Sequence, residues 1–191
     1  MMSYTRSLLV LLFTLALVIV TIVLFFSNNS TNKSQYNTKL NNFANYSNTS
    51  ALATLDINGP ITSQSTHNEV KIIVSNLDVN LQIIKGYDND IVINQVFPNS
   101  QRSYDAFLRS IYLNGFTLKT NKNTVNNPVG LCATGDLYNF YFIFNSNNIV
   151  NTWQSSCNGS NSNFGGNLSV ILSLFQSQVP SYNNYTNNLN L

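Results

Sequence analysis

The most prominent pattern along this chain is an apolar run near its start. Residues 7–26 (SLLVLLFTLALVIVTIVLFF) contain no charged side chain over 20 positions. A helix rises about 1.5 Å per residue, so this run spans about 30 Å, the thickness of the hydrocarbon core of a bilayer. We therefore predict a short head and a transmembrane signal-anchor helix over residues 1–26.

Two other interpretations of this run are open at the level of sequence. A cleaved signal peptide has a shorter apolar stretch followed by an A-x-A-like site, and the nearest such pattern here is Ala51 to Ala53. The second interpretation is a helix buried in a protein core. Arg6 precedes the run, and the next basic residue is Lys33. The positive-inside rule then predicts a single-pass protein of the cell membrane, with its N-terminus cytoplasmic and its C-terminal part outside.

The rest of the chain divides by composition into three parts. Residues 27–50 are mostly Asn, Ser and Thr with no apolar period, which predicts a flexible stalk. The tail at 181–191 is similar, and we predict that it is disordered. Residues 51–180 lie between them and are numerous enough to form an extracytoplasmic domain with its own core.

Within residues 51–180, apolar and polar positions alternate with period two in seven segments, which predicts seven strands. They are Leu52–Ile57, Val70–Ser75, Val79–Lys85, Ile91–Phe97, Phe116–Thr120, Tyr138–Phe144 and Ile149–Ser155. Two further segments have the helical period of 3.6, residues 103–113 and 167–178. Ser100 or Ser103 can cap the first predicted helix, and Asn167 the second.

Each predicted helix follows a predicted hairpin, so the order is ββα twice. This order predicts an α+β domain in which two helices pack on an antiparallel sheet. An internal duplication would explain the repeat, and so would the chance recurrence of a common motif.

Composition limits the chemistry that the chain can perform. Apolar residues make up 43%, but charged residues only 8%; there are 34 Asn, one His and a net charge of +2. No basic stripe is present, so we expect no nucleic-acid partner. With so few acid and base groups we expect that the protein is not an enzyme.

Cys132 and Cys157 are the two cysteines of the chain and flank the second predicted hairpin. In the oxidising compartment predicted for this domain, such a pair is expected to form a disulfide. A zinc site needs about four nitrogen or sulfur ligands, and the two cysteines and His67 supply three. We therefore expect neither a metal nor a cofactor.

Aromatic and amide side chains supply the main candidates for ligand binding. Trp153, Tyr141 and Tyr87 could stack on sugar rings while Asn amides bind the hydroxyl groups. The alternative for Trp153, the only tryptophan, is a place in the core beside the disulfide. Eight N-x-S/T sequences are also present, and they matter only in a cell that glycosylates them.

Several runs resemble uncharacterised single-anchor surface proteins of small-genome bacteria. They are GYDNDIVINQVFPNSQRSYDAFLRSIYLNGFT, GLCATG, WQSSC, NFGGN and LFQSQVPSY, within residues 80–182. The resemblance implies a place in the cell envelope and supplies no activity or site residues.

Three functions follow, in order of preference. The first is a non-enzymatic, membrane-anchored protein whose disulfide-bonded domain binds an unknown partner or supports envelope structure. The second is a carbohydrate-binding surface module that uses Trp153 and exposed tyrosines. The third is an envelope hydrolase that uses Asp136, His67 or Cys157, for which the sequence offers no third group to orient a base.

Overall fold

One antiparallel sheet organises the computed structural model of the protein, which describes residues 43–120, 128–157, 162–189 and 191. Its strands are β1 (Leu52–Asn58), β2 (Asn68–Val74), β3 (Asp78–Lys85), β4 (Asp90–Pro98), β5 (Leu137–Phe144) and β6 (Asn147–Ser155). Their order across the sheet is β4-β3-β2-β1-β5-β6. Six of the seven predicted strands are confirmed, each with ends within two residues of the prediction.

The alternation of side chains gives the sheet two different faces. In β1, Leu55 and Ile57 are buried on one face, whereas Asp56 points to the other. The register places Leu55 beside Ile72 of β2 and Phe140 of β5, so the apolar face continues across the strands. We call the face that carries Asp56 the outer face.

Helices cover the apolar face. Helix α1 (Gln101–Leu113) and helix α2 (Leu168–Gln176) place six buried side chains in the core: Tyr104, Phe107, Leu108, Ile111, Ile171 and Phe175. The side chain of Ser100 caps α1 and that of Asn167 caps α2. Two predicted helices on one face of an antiparallel sheet confirm the α+β class.

The segment Phe116–Thr120 does not join the sheet, which corrects the prediction of a strand there. Gly115 has φ of 84° and turns the chain directly after α1. Phe116 then enters the core, Leu118 is exposed, and Lys119 forms a single bridge with Phe164. The apolar alternation in this segment therefore comes from one anchoring side chain and one exposed one.

The folded unit extends beyond residues 51–180 at both ends. Phe43 is buried with its ring centroid 4.7 Å from that of Phe142, and a 3-10 helix (Asn45–Asn48) follows it. Helix α3 (Tyr182–Thr186) occupies the tail that was predicted to be disordered, and its Tyr185 contacts Phe97. Single aromatic residues in a polar segment have no period, so pattern analysis places both borders too far inward. Residues 7–26 of the predicted anchor and 27–42 of the predicted stalk lie outside the described residues.

The predicted disulfide between Cys132 and Cys157 is confirmed; the two cysteines are 25 positions apart in sequence, and their Cα atoms are 5.6 Å apart. It joins the chain just before β5 to the chain just after β6. The two hairpins, β3–β4 and β5–β6, lie at opposite ends of the sheet. Their origin by duplication stays a prediction.

Candidate functional site

A cavity of about 560 Å³ opens on the outer face, over β1 and β5. Its floor consists of side chains near the ends of these strands: Asn58, Leu137, Asn139 and Tyr141. Its walls come from the β1–β2 connection, the β3–β4 turn and the segment before β5, and include Ile61, Tyr87, Pro128, Val129 and Cys132. The walls are joined by the main chain, since the N–H of Ile61 donates to the carbonyl oxygen of Ala133 at 2.8 Å. The disulfide anchors the wall that contains Cys132.

Tyr87 is held rigidly at the mouth of this cavity. Its hydroxyl donates to the carbonyl oxygen of Thr62 at 2.9 Å and accepts from the N–H of Thr62 at 3.1 Å. One face of its ring stacks on the imidazole of His67, with the centroids 4.2 Å apart. Because His67 is buried and Tyr87 is half-exposed, the opposite face of the ring is the one available to a ligand.

Tyr141 and Asn139 form the part of the floor that β5 contributes. Both side chains are half-buried and point to the outer face, because the alternate residues Phe140 and Phe142 are in the core. The Asn139 side chain lines the cavity, and its amide has no hydrogen-bond partner among the residues that the structure describes. Burial raises the pKa of Tyr141, and the negative charge of Asp56 adds to the increase.

Three ionisable side chains lie next to the cavity on the same face. Asp56 is beside Asn139 of β5 and beside Lys71 of β2 in the sheet register. Lys71 Nζ is 3.0 Å from Oε1 of Glu69. Asn58 Nδ2 donates to Oε2 of Glu69 at 3.4 Å, so this amide links the charged cluster to the cavity floor.

Asp56 is the most strongly perturbed member of this cluster. Burial raises its pKa to about 7; the negative charge of Glu69 and a hydrogen bond with that carboxyl add to the increase, and Lys71 opposes it. Its Oδ1 is buried without a hydrogen-bond partner. Burial lowers the pKa of Lys71, but the hydrogen bond with Glu69 and the negative charge of Asp56 outweigh burial, so its pKa is raised.

Of the three predicted stacking residues, the structure brings two together and excludes the third. Tyr87 and Tyr141 line the same cavity. Trp153 points to the same face from β6, opposite Asn139, but only 4% of its surface is exposed. We therefore remove Trp153 from the candidate site, because a ring without an accessible face cannot stack on a ligand.

Each residue considered for a hydrolase is engaged in a disulfide or in a hydrogen bond with another group. Cys157 is in the disulfide. His67 is buried with Nδ1 3.0 Å from the carbonyl oxygen of Pro60, so that nitrogen carries the proton and donates it. Asp136 accepts from the Tyr138 hydroxyl at 3.0 Å, and burial raises its pKa against that hydrogen bond.

The charged cluster and the two floor amides were not singled out from the sequence. A carboxyl within an apolar strand, as in LATLDIN, is the signal that could have identified Asp56. Asn58 and Asn139 carry no such signal in a chain with 34 Asn. The β1–β5 register is what places both amides on the floor of the cavity.

A second, larger depression of about 720 Å³ lies at the start of α1. Its lining includes the exposed side chains of Gln101 and Arg102 and no aromatic ring. The outer-face cavity has rings, amides and a partly buried floor, so we take it as the candidate site.

No group of three or more His, Cys, Asp or Glu side chains within the described ranges could hold a metal ion. Helices in the same ranges are all too short or too polar to cross a membrane.

Comparison with known proteins adds no relative: no protein family, curated protein or solved structure matches the chain. The site is therefore interpreted from its own geometry.

Proposed function

We propose that this domain binds a saccharide in the outer-face cavity, without catalysing a reaction. The observation that carries the proposal is the meeting of Tyr87 and Tyr141 in one cavity with the amides of Asn58 and Asn139. Sugars present both an apolar ring face and a rim of hydroxyl groups. Aromatic rings bind the first, and amides, which both donate and accept, bind the second.

The size and the rigidity of the cavity support this proposal. Small-molecule sites usually have volumes of about 300–1,000 Å³, and the cavity lies within that range. Tyr87 is fixed by two hydrogen bonds and a stacked imidazole. A ring that is already ordered loses little side-chain entropy when a ligand binds, which favours affinity.

The lining favours binding over catalysis. Besides the tyrosines it consists of amide, aliphatic, glycine, proline and disulfide groups. The carboxyl groups of the adjoining charged cluster, Asp56 and Glu69, interact with one another, with Lys71 and with Asn58. The envelope hydrolase drawn from Asp136, His67 and Cys157 has no geometric support.

The experiment is a screen of the full chain against an array of envelope and host glycans. The protein is kept in a polyoxyethylene detergent, because detergents with sugar headgroups would compete for the site. We expect saturable binding that resists added salt, since neither ring stacking nor amide hydrogen bonds depend on a net charge.

Variants then locate the binding site. Tyr87→Ala and Tyr141→Ala should each weaken binding about tenfold or more, the equivalent of about 1.4 kcal/mol. Tyr185→Ala is the matched control, because it removes a tyrosine that packs on the helix-covered side. A lack of binding to every glycan on the array would refute the proposal, as would undiminished binding by Tyr87→Ala. The first result would favour the other function that the sequence suggests, a protein partner or a structural role.

We further propose that residues 7–26 anchor this domain to the cell membrane with the domain outside and the N-terminus cytoplasmic. Support comes from the uncharged run itself, from the disulfide, which persists in oxidising compartments, and from the resemblance to single-anchor surface proteins. Labelling of a C-terminal tag on intact cells with a membrane-impermeant reagent tests this topology. A tag that is protected until the cells are lysed would contradict it.

A further inference from the structure

The cavity on the outer face has a polar floor and an apolar mouth. Three of its four floor side chains, those of Asn58, Asn139 and Tyr141, carry an amide or a hydroxyl and are half-buried. At the mouth, Ile61 is 52% exposed and Val129 is 75% exposed. Ligand sites usually have the opposite order, with apolar groups inside and polar groups at the rim. A ligand that suits this cavity therefore inserts a polar part and keeps an apolar part at the mouth.

A tight turn before β5 presents most of this apolar mouth. The N–H of Leu131 donates to the carbonyl oxygen of Pro128 at 3.0 Å and closes the turn. Gly130 has φ of 85°, which the turn requires, and a Cβ placed there would meet no atom within 4 Å. The turn therefore projects from its surroundings, with Val129 at its apex. The main chain of Ile61 bonds to the same segment. We call the side chains of Ile61, Val129 and Leu131 the apolar rim.

Exposure alone does not make the apolar rim a site, because single exposed apolar residues are common on protein surfaces. Leu77 is 75% exposed and Leu113 is 51% exposed, and neither lines either of the two cavities described above. The apolar rim differs from them because its members come from two connections and meet at one cavity. Contiguous apolar surface of this kind marks a place of binding.

The charge of the cavity limits the polar part of the ligand. No charged side chain occurs among the described residues that line it. A charged headgroup would lose its hydration on entry without meeting an opposite charge in the lining. Amides and tyrosine hydroxyls instead suit an uncharged group that is rich in hydroxyls. These properties favour a neutral sugar over a phosphate or an ammonium group.

We propose that the ligand is an amphiphilic glycoside, a neutral sugar that binds at the floor and is joined to an apolar chain that lies along the apolar rim. This inference rests on the proposed function and specifies the class of its ligand. The sugar replaces its water with the floor amides, while the chain covers Ile61 and Val129 and leaves water with them. A membrane glycolipid and a soluble glycoside share this chemistry.

The experiment compares short and long glycosides of one sugar. Methyl and hexyl glycosides of glucose, galactose, mannose and N-acetylglucosamine are titrated calorimetrically into the full chain in phosphatidylcholine nanodiscs, which carry no sugar. Empty nanodiscs correct for partitioning into the lipid. For at least one sugar, the hexyl glycoside should bind about tenfold or more tightly than the methyl glycoside, because its longer chain leaves water on the apolar rim.

Variants with a matched control assign this preference to the apolar rim. Ile61→Ser and Val129→Ser together should remove the preference and leave the affinity for the methyl glycoside unchanged. Leu113→Ser and Leu77→Ser together are the control, because they remove two apolar side chains of nearly the same exposure, 51% and 75%. This control should retain the preference. A preference that survives the rim variant, or that is lost in the control, would overturn the proposal.

The same titrations separate the failure of this inference from the failure of the proposed function. Equal affinities for the methyl and hexyl glycosides would overturn the amphiphilic ligand and leave the saccharide site standing. No binding of either series would overturn both. Binding of 1-hexanol as tight as that of the hexyl glycosides would also overturn both, because the sugar would then contribute nothing.

Vesicles distinguish a membrane glycolipid from a soluble glycoside. The nanodiscs are floated with phosphatidylcholine vesicles that contain or lack a diacylglycerol carrying the preferred sugar. Flotation only with the glycolipid would support a ligand held in a bilayer. No flotation, with the preference for the hexyl glycoside intact, would support a soluble one. Flotation with plain vesicles would overturn the proposal, because the apolar rim would then bind lipid without a sugar.

Discussion

Replacing Asp56 with asparagine should stabilise the protein above neutral pH and change its stability little at about pH 4. The carboxyl is largely buried beside Glu69, and its Oδ1 has no hydrogen-bond partner. An ionised Asp56 therefore destabilises the fold, whereas a protonated one fits it. Asparagine has the same shape, carries no charge, and can donate a hydrogen bond to Glu69 in place of the carboxylic proton.

The magnitude and sign follow from the two pKa values of this carboxyl. Its pKa is 3.8 in the absence of the fold and about 7 within it. Between these values the folded state binds more protons than the unfolded state, so the free energy of unfolding falls as the pH rises. The stabilisation is complete below the unfolded pKa and is lost as the pH rises through the folded pKa. About three pH units at 1.36 kcal/mol each give a loss of about 4 kcal/mol.

Urea unfolding of the full chain, followed by the fluorescence of Trp153, measures this loss. Trp153 is the only tryptophan and is 4% exposed, so its emission reports exposure on unfolding. The free-energy difference between Asp56→Asn and the wild type should grow by several kcal/mol from about pH 4 to about pH 8. Asp90→Asn, at an exposed carboxyl, should retain the pH dependence of the wild type. If the free energies of unfolding of Asp56→Asn and the wild type changed in parallel with pH, the ionisation of Asp56 would not destabilise the fold and the argument would be refuted.

Three further predictions concern stability, and urea unfolding checks each of them. Replacing Cys132 and Cys157 together by serine should lower the free energy of unfolding by about 3 kcal/mol, from the closed loop of 25 residues; an unchanged midpoint would contradict this. Gly86→Ala should cost about 1–2 kcal/mol or more, because φ is +71° and the new Cβ would collide with the side chain of Gln64. Tyr104→Phe should cost about 1–2 kcal/mol, since the buried main-chain carbonyl of Ala51 loses its hydrogen-bond donor; a neutral effect would mean that this carbonyl group finds another donor.

The sheet and the main helices could be predicted because local pattern and burial agree. In β1, β3 and β5 an apolar core position recurs at every second residue, and one face of each strand packs on the core. Ser100 and Asn167 cap the two helices as their positions suggest. The disulfide could be predicted as well, from two cysteines that flank a hairpin. In each case the signal and the contact lie close together in sequence.

The candidate site could be predicted only in part, because it depends on contacts that no short segment contains. Tyr87 and Tyr141 are 54 positions apart in sequence, and the sheet order brings them to one cavity. Asp56 meets Lys71 and Asn139 through the register of three strands. The sequence left Trp153 open between a stacking residue and a core residue for the same reason: its burial is a property of the assembled fold and has no signature in its polar sequence neighbours.

The buried polar atoms that lack a hydrogen-bond partner give a physical argument for the outer face as the functional one. Six such side-chain atoms occur in the described part of the chain. Those of Asp56, Asn80 and Trp153 are on the outer face, and that of Thr62 belongs to the residue that holds Tyr87. Thr152 points to the helix-covered core, and Asp136 accepts from the hydroxyl of Tyr138, which packs against the same core. Each unpaired buried atom costs stability, and such departures concentrate where function constrains a sequence more than folding does. This distribution supports our proposal that the outer face carries the binding site.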